Sequence, residues 1–390
     1  MSLPLATGVS SRTIAVSDLE MHILEAGDPS HPLILLLHGF PEIAFSWRKV
    51  VLPIARLGYR VVVPDQRGFG RTRPRLVAQA PIRYDDDAHP YRILNIVRDT
   101  VALVYALGRR SVAAVIGHDF GSRIAAFCTL VRPDIFHSVV MMSAPFGGPP
   151  PLPLDVDNGP TIATHPNIFS TEARTFFASL DPPRKYYVPY FAGQQANDDM
   201  LQAPQGLHAF LRAYFHTKSA DWAQNDPHAL SSHDPHELAQ LPPYYMMPLA
   251  ATMPEAVAPH APSQEEVQHN EWLPDEDLAV YVAEYRRTGF QGGLNWYRAM
   301  QPEMSDELAV FAGKKIERPA MFLSGRKDWG VFQAPGALER MKSQVCARMD
   351  DEDVVLVDGA GHWVQQEQPE ELVKHIGRFL KKVAVEGHLL

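Results

Sequence analysis

The stretch that decides the fold runs from Ser111 to Val131, SVAAVI-GHDFG-SRIAAFCTLV. Ser111–Ile116 is a short apolar run of the kind that forms a strand buried on both faces. Gly121–Val131 carries apolar residues at helical spacing. Between them Gly117-His118-Asp119-Phe120-Gly121 makes a sharp strand-to-helix turn. In such a turn the central side chain stands above the sheet at the helix N-terminus. Small residues are needed two before and two after it, because a Cβ there would collide with the strained backbone. The best-known version has serine at the centre; here the central residue is Asp119.

Outward from this turn the pattern repeats. Leu33–Leu37, Arg60–Val63, Ser138–Met142, Ala320–Leu323 and Val354–Val357 read as further buried strands. Ile93–Leu107 and Glu370–Leu380 read as helices between them. The alternation predicts an α/β fold with a mostly parallel central sheet and helices on both faces. It stops after Ser143, where GGPPPLPLDVDNGP can continue neither strand nor helix. Nineteen of the 34 prolines fall between Gly147 and Ala299. We therefore expect residues 1–145 and 300–390 to form one sheet-based core, interrupted by a mainly helical insertion over 146–299. Ala203 to Gln268 is rich in His, Pro and Met without a strong period, and loops are expected there.

Composition limits the function. Thirty-six basic against 45 acidic residues give a net charge of −9, which argues against a nucleic-acid partner. Cys128 and Cys346 cannot build a disulfide framework. No apolar run is long enough to span a membrane and no signal peptide is visible, so a cytoplasmic location is expected. Asp85-Asp86-Asp87 with His89 has no partner cluster at metal-ligand spacing and reads as a solvated loop; no metal is expected. Gly68-Phe69-Gly70 lacks the third glycine of a dinucleotide site and reads as a shaped loop.

The chemistry follows from Asp119. A carboxylate attacking an acyl carbon would give a reactive anhydride. Attack on a saturated carbon bearing a leaving group gives an ordinary ester that water can cleave. Strained ethers and alkyl halides are therefore the substrates to expect, unless Asp119 merely caps the helix. Three other loops support the catalytic reading. His38-Gly39-Phe40-Pro41-Glu42 follows the first buried strand and can aim the Phe40 N–H at the nucleophile, with the Phe120 N–H as second oxyanion-hole donor. Leu323-Ser324-Gly325-Arg326-Lys327-Asp328 puts an acid just past a strand. Asp358-Gly359-Ala360-Gly361-His362-Trp363 puts a histidine after the last strand. The chain order of nucleophile, acid and histidine assigns His362 as base toward water and Asp328 as its orienting partner.

With HGFPE (38–42), DQRGFGRT (65–72), GHDFGS (117–122), the Asp328 loop and GAGHW (359–363), the sequence resembles the α/β-hydrolase-fold epoxide hydrolases. The resemblance covers most of 20–145 and 275–380. It implies a helical cap over the active site and a pair of cap tyrosines that hydrogen-bond the epoxide oxygen. Tyr187 matches the family's Tyr-x-x-x-Phe segment in Tyr187-Val188-Pro189-Tyr190-Phe191, with Tyr186 and Tyr190 as rival registers. Tyr297 matches the Asn295-Trp296-Tyr297 segment. The resemblance further implies His38, Pro41, Trp296 and Trp363 as pocket residues, a small apolar epoxide and water as reactants, and no cofactor. Two alternatives stay open. A haloalkane or haloacetate dehalogenase could use the same nucleophile; Phe120 replaces that family's halide-binding Trp or its Arg, although Arg123 matches a second arginine of the haloacetate enzymes. An apolar-ligand-binding protein on the same scaffold is the other.

Overall fold

The structure is a computed structural model that describes residues 3–75, 81–151, 154–155, 159–160, 168–232 and 234–387. The main path of its nine-stranded sheet has eight strands: β1 (Ser10–Val16), β2 (Leu19–Ala26), β3 (Leu33–Leu37), β4 (Arg60–Pro64), β5 (Ala114–His118), β6 (Val139–Met142), β7 (Ala320–Gly325) and β8 (Val354–Val357). Their spatial order is β1-β2-β4-β3-β5-β6-β7-β8, with the short Arg73–Pro74 strand beside β2. From β4 to β8 all pairings are parallel; β1 and β2 form an antiparallel hairpin joined to β4.

All six strands expected from apolar runs are present. The hairpin was not foreseen, because SSRTIAV is largely exposed and β2 carries the buried His22, whose ring nitrogen pairs with Asp65 at 2.7 Å. A strand buried on both faces splits its side chains by parity. In β3, Leu33, Leu35 and Leu37 join one core while Ile34 and Leu36 join the other. Helices α1 (Ile93–Ala106) and α2 (Phe120–Val131) pack on the first face. The C-terminal helix, which we number α7 (Pro369–Val385), packs on the second through Leu372, Ile376, Phe379, Leu380 and Val383. Burying each such side chain contributes about 1.5–3 kcal/mol.

Between β6 and β7 the chain is mainly helical and covers one end of the sheet. Its principal elements are α3 (Tyr187–Phe191), α4 (Leu207–Thr217), α5 (Asp275–Thr288) and α6 (Gln291–Arg298). Their apolar residues merge into the first sheet core without a break. The loops expected between 203 and 268 are only partly loops. Helix α4 has Phe210, Leu211, Tyr214 and Phe215 on its buried surface, and its Arg212 and His216 are buried as well. Leu207, Phe210, Leu211 and Tyr214 do recur at helical spacing, but the helix is short and set in a stretch rich in His, Pro and Met, over which that period is diluted. Met246–Pro248, from the same stretch, pairs with Arg184–Tyr186 as a two-stranded ribbon. Of the proline-rich stretch after Gly147, Leu154–Asp155 pairs with Gly159–Pro160; most of the remainder lies outside the described residues. Among the described residues no helix is long and apolar enough to cross a membrane. Both cysteines are free and buried.

Candidate active site

The turn between β5 and α2 is as tight as its glycines require. A Cβ on Gly117 would lie 2.0 Å from the Gly121 carbonyl oxygen, and one on Gly121 would lie 2.1 Å from the Leu37 carbonyl oxygen. Asp119 sits at φ 54°, ψ −119°, a backbone conformation that costs a non-glycine residue about 1–3 kcal/mol. Its amide donates to Met142 O at the end of β6 (3.2 Å), which fixes the strained residue to the sheet. The side chain does not cap its own helix. Oδ1 instead accepts from the Phe40 N–H at 3.0 Å. Oδ2 lies 3.6 Å from His362 Nε2, the nearest polar atom of the histidine's outward edge. The Asp119 side chain is 22 % exposed, whereas those of His362 and Asp328 are 1 % and 2 %.

His362 is held on its other edge. Its Nδ1–H donates to Asp328, whose two oxygens lie 3.1 and 3.2 Å away, and Ser143 Oγ is 2.9 Å from the same nitrogen. Ser324 Oγ and the Gly330 amide donate to Asp328 at 3.0 and 2.7 Å. Burial opposes charge on Asp328, but the imidazole and these donors outweigh it and hold the carboxyl well below the usual carboxylate range. Burial and the nearby Lys218 charge push His362 below its ordinary value of 6.5, against the pull of Asp328. The imidazole is therefore neutral near pH 7. Among the described residues its Nε2 has no hydrogen-bond partner, so it is free to act as a base toward the Asp119 side.

Beneath this trio lies a buried pair that was not read from the sequence. His118 Nδ1 is 2.6 Å from Glu42 Oε2 and its Nε2 is 2.7 Å from the His362 carbonyl oxygen. The carboxylate and carbonyl oxygens only accept, so these two short contacts favour the doubly protonated, cationic ring over the longer approach of Gln365 Nε2 at 3.3 Å. Burial resists this, but Glu42 raises His118; in turn Glu42, despite its own burial, is drawn down to about 2 by His118 and the Gly39 amide. The pair ties the loop at 38–42 to the loop that carries His362. Glu367 ties the latter further, accepting from the amides of Ala220, Gly361 and Trp363 at 2.8–2.9 Å.

The cap side is built from rings. Gly292 and Gly293 let α6 approach the loop at 65–72: a Cβ on Gly292 would lie 1.9 Å from Gly68 O, and one on Gly293 would lie 2.6 Å from Phe40. The Trp296 indole N–H donates to Arg67 O at 3.0 Å. One residue on, the Tyr297 ring meets Phe120 at 4.6 Å and Phe40 at 5.5 Å. Tyr187 is 6.0 Å from Tyr297, centroid to centroid. Its backbone N–H donates to Tyr245 O at 2.9 Å, continuing the ribbon with Met246–Pro248. Burial raises both phenols well above 10, so both keep their protons. Gln333 Nε2 donates to Tyr187 Oη (3.2 Å) and to Tyr186 Oη, leaving the Tyr187 O–H as a donor. Tyr190 is committed elsewhere: its O–H donates to Asp199 at 2.8 Å and its oxygen accepts from the Met253 amide at 3.2 Å.

The four residues expected to line the pocket stand behind it. His38 is fully buried: Nδ1 faces Gly39 O at 2.9 Å and Nε2 accepts from the Gln66 amide at 3.1 Å. The Trp363 indole donates to Phe215 O at 2.8 Å and its ring buttresses His362 at 4.5 Å. Trp296 backs Phe120 at 5.6 Å, and Pro41 is buried in the loop at 38–42. Arg123, the dehalogenase-like position, is part-buried beside Phe127, its guanidinium 6.0 Å from the ring. Asp87 and His89, in the acidic run, are exposed and pair with one another at 2.7 Å. Gly68 and Gly70 shape the loop that receives α6.

A strand order of 1-2-4-3-5-6-7-8, an aspartate at the elbow after β5, an acid after β7 and a histidine after β8 define an α/β-hydrolase, and the α/β hydrolase fold family matches residues 32–369. The chain belongs to that family and, within it, to the epoxide hydrolases. It is 31 % identical over 360 residues to "Epoxide hydrolase B" of Mycobacterium tuberculosis (strain ATCC 25618 / H37Rv), covering 90 % of this chain and 92 % of the relative. It is also 31 % identical to "Epoxide hydrolase 3" of Siraitia grosvenorii, over 95 % of this chain and 98 % of the relative. Among solved structures, an epoxide hydrolase from an endophytic Streptomyces superposes with a TM-score of 0.73 at 26 % identity, covering 97 % of each chain. Potato (Solanum tuberosum) epoxide hydrolase I superposes with 0.70 at 29 % identity, over 96 % of this chain and 99 % of that one.

Proposed function

We propose that this protein opens an epoxide through an ester on Asp119 and hydrolyses that ester to a vicinal diol. The observation that carries the reading is the split environment of the Asp119 carboxylate. Oδ1 is held by the Phe40 N–H, while Oδ2 faces His362 and open space. Oδ2 is therefore the attacking atom. It forms a C–O bond to one oxirane carbon as the ring C–O bond breaks, and the ring oxygen takes a proton through the phenols of Tyr187 and Tyr297. In the second step His362 Nε2 removes a proton from water, whose oxygen attacks Cγ of Asp119. Oδ1 carries the developing charge between the N–H groups of Phe40 and Phe120. Asp328 and Ser143 hold the imidazole and stabilise its charged form. Collapse breaks the Cγ–Oδ2 bond: Oδ2 leaves as the second oxygen of the diol and takes the proton held by His362, the water oxygen stays on Asp119 in its place, and the second water proton restores the phenol.

Residues 146–299 act as the cap in this scheme, between core segments 1–145 and 300–390. The walls around Asp119 are Phe40, Phe120, Phe191, Tyr187 and Tyr297, which suits a substrate with an apolar body. Water is the second reactant and the chemistry needs no cofactor. Incubation with styrene oxide, a haloacetate and a haloalkane tests the reading. Diol from the epoxide supports it. Halide release without diol formation would instead support dehalogenation.

A further inference from the structure

Lys218 is the buried charge that this mechanism leaves unused. It follows the last residue of α4 and is 3 % exposed. Its backbone is locked to the catalytic histidine: the His362 amide donates to Lys218 O at 2.8 Å. Glu367 clamps Ala220 to Gly361 and Trp363 across the same junction. The side chain enters a box of four rings. Nζ lies 5.0 Å from the centroid of Tyr245, 5.4 Å from Tyr214, 5.5 Å from Trp363 and 5.7 Å from Tyr244. Two of these rings touch the site directly, Trp363 against His362 at 4.5 Å and Tyr245 against Tyr187 at 5.0 Å.

An ammonium has three N–H donors. Ring faces offset part of its charge but are weak acceptors. A lysine that serves only packing extends its head to water or meets a carboxylate. Among the described residues Lys218 Nζ forms no hydrogen bond and no ion pair. Of the acids that act on it, Asp119 is felt most strongly, followed by Asp328, and both are engaged with His362. Burial lowers its pKa against the pull of these carboxylates, and the rings favour the cation.

We propose that Lys218 determines specificity by binding a carboxylate on the substrate, so that the preferred substrates are epoxides with an acid group next to the oxirane ring. This rests on the epoxide reading above. The oxirane oxygen points to Tyr187 and Tyr297, the reacting carbon faces Asp119 Oδ2, and the acid lies on the Tyr245 side, where the ammonium meets it. Without that cation, a carboxylate so close to Asp119 would be repelled.

The test compares trans-3-phenylglycidate with trans-β-methylstyrene oxide, in which a methyl replaces the carboxylate. The readout is the ratio of the two kcat/KM values within one protein, so that any loss of folded enzyme divides out. The wild type is expected to favour the acid by about 10-fold, and Lys218→Met to lower the ratio by about 30-fold, with Lys218→Arg recovering most of it. Calorimetric titration with 2,3-dihydroxy-3-phenylpropanoate should show wild-type binding weakened about 10-fold in Lys218→Met. An unchanged ratio, or equal binding of the diol acid by wild type and Lys218→Met, overturns the proposal. Turnover of the neutral epoxide but not the acid overturns it while leaving the epoxide reading intact. Turnover of neither overturns the reading beneath it.

Discussion

On the sheet side of the site, Asp119, Asp328 and His362 are placed by backbone. Asp119 is pinned between strand ends at a positive φ, and each neighbouring loop is fixed by main-chain hydrogen bonds. On the cap side the backbone is also tied, with Lys218 O accepting from the His362 amide and Gly292 set against Gly68, but the side chains of Tyr187, Tyr297 and Lys218 are held mostly by rings, at 4.6–6.0 Å between centroids for the tyrosines. Backbone placement permits one geometry, and a single added carbon at Gly117 or Gly121 destroys it. Ring packing can shift by tenths of an ångström with little cost. In the proposed mechanism nucleophilic attack and ester hydrolysis accordingly belong to the rigid half, and protonation of the ring oxygen and substrate choice to the adaptable half.

Substitutions should respect this division. The largest effect is expected for Asp119→Asn, with diol formation falling about four orders of magnitude while the protein stays folded; steady-state kinetics with circular dichroism on the same samples checks both parts. Retained activity would break the account of the rigid half. On the cap side, Tyr297→Phe is expected to slow ester formation about 100-fold and Tyr187→Phe about 10-fold, without slowing ester hydrolysis. Single-turnover measurements separate the two steps, and equal slowing of both would merge the two halves. Gln333→Leu should have a smaller effect, about 3-fold on ester formation, because it removes only the donor that orients Tyr187.

The smallest effect is a displacement in pH. His362 acts as a base only when neutral, and burial, Lys218 and the cationic His118 lower its pKa from 6.5 against the pull of Asp328. The acid limb of ester hydrolysis should therefore lie below pH 6.5. Lys218→Met removes one positive charge, so His362 holds its proton more firmly and the limb moves to higher pH. A pH series of single-turnover hydrolysis rates reads this; a limb that stays put in Lys218→Met would contradict the electrostatic coupling.

The same contrast explains what could be read in the sequence. The elbow was legible because close backbone approach leaves only glycine at Gly117 and Gly121, and that restriction survives as a motif. The three other loops were legible because short parallel strands buried on both faces announce themselves as apolar runs, and the site lies just beyond their ends. Tyr297 was legible only through the resemblance, in the Asn295-Trp296-Tyr297 segment; that Gly292 and Gly293 let α6 reach Gly68 emerged from the structure. The hairpin of β1 and β2 was not legible, since half of it faces water. Helix α4 has an apolar period at Leu207, Phe210, Leu211 and Tyr214, but it is short and was diluted by the His, Pro and Met residues of the stretch around it. Lys218 gave no signal at all, because a lysine after a helix is ordinarily a solvated C-terminal charge. Glu42 and His118 stood inside recognised motifs, but their pairing depends on two loops 76 positions apart meeting in space.

The central claim is that Asp119 forms a covalent ester which His362 then hydrolyses. It is tested most directly by intact-protein mass spectrometry of His362→Gln after incubation with styrene oxide. The account predicts a stable species heavier by the mass of one epoxide, with the added mass located on the peptide containing Asp119. Release of diol at the wild-type rate with no adduct, or an adduct on another residue, would contradict it.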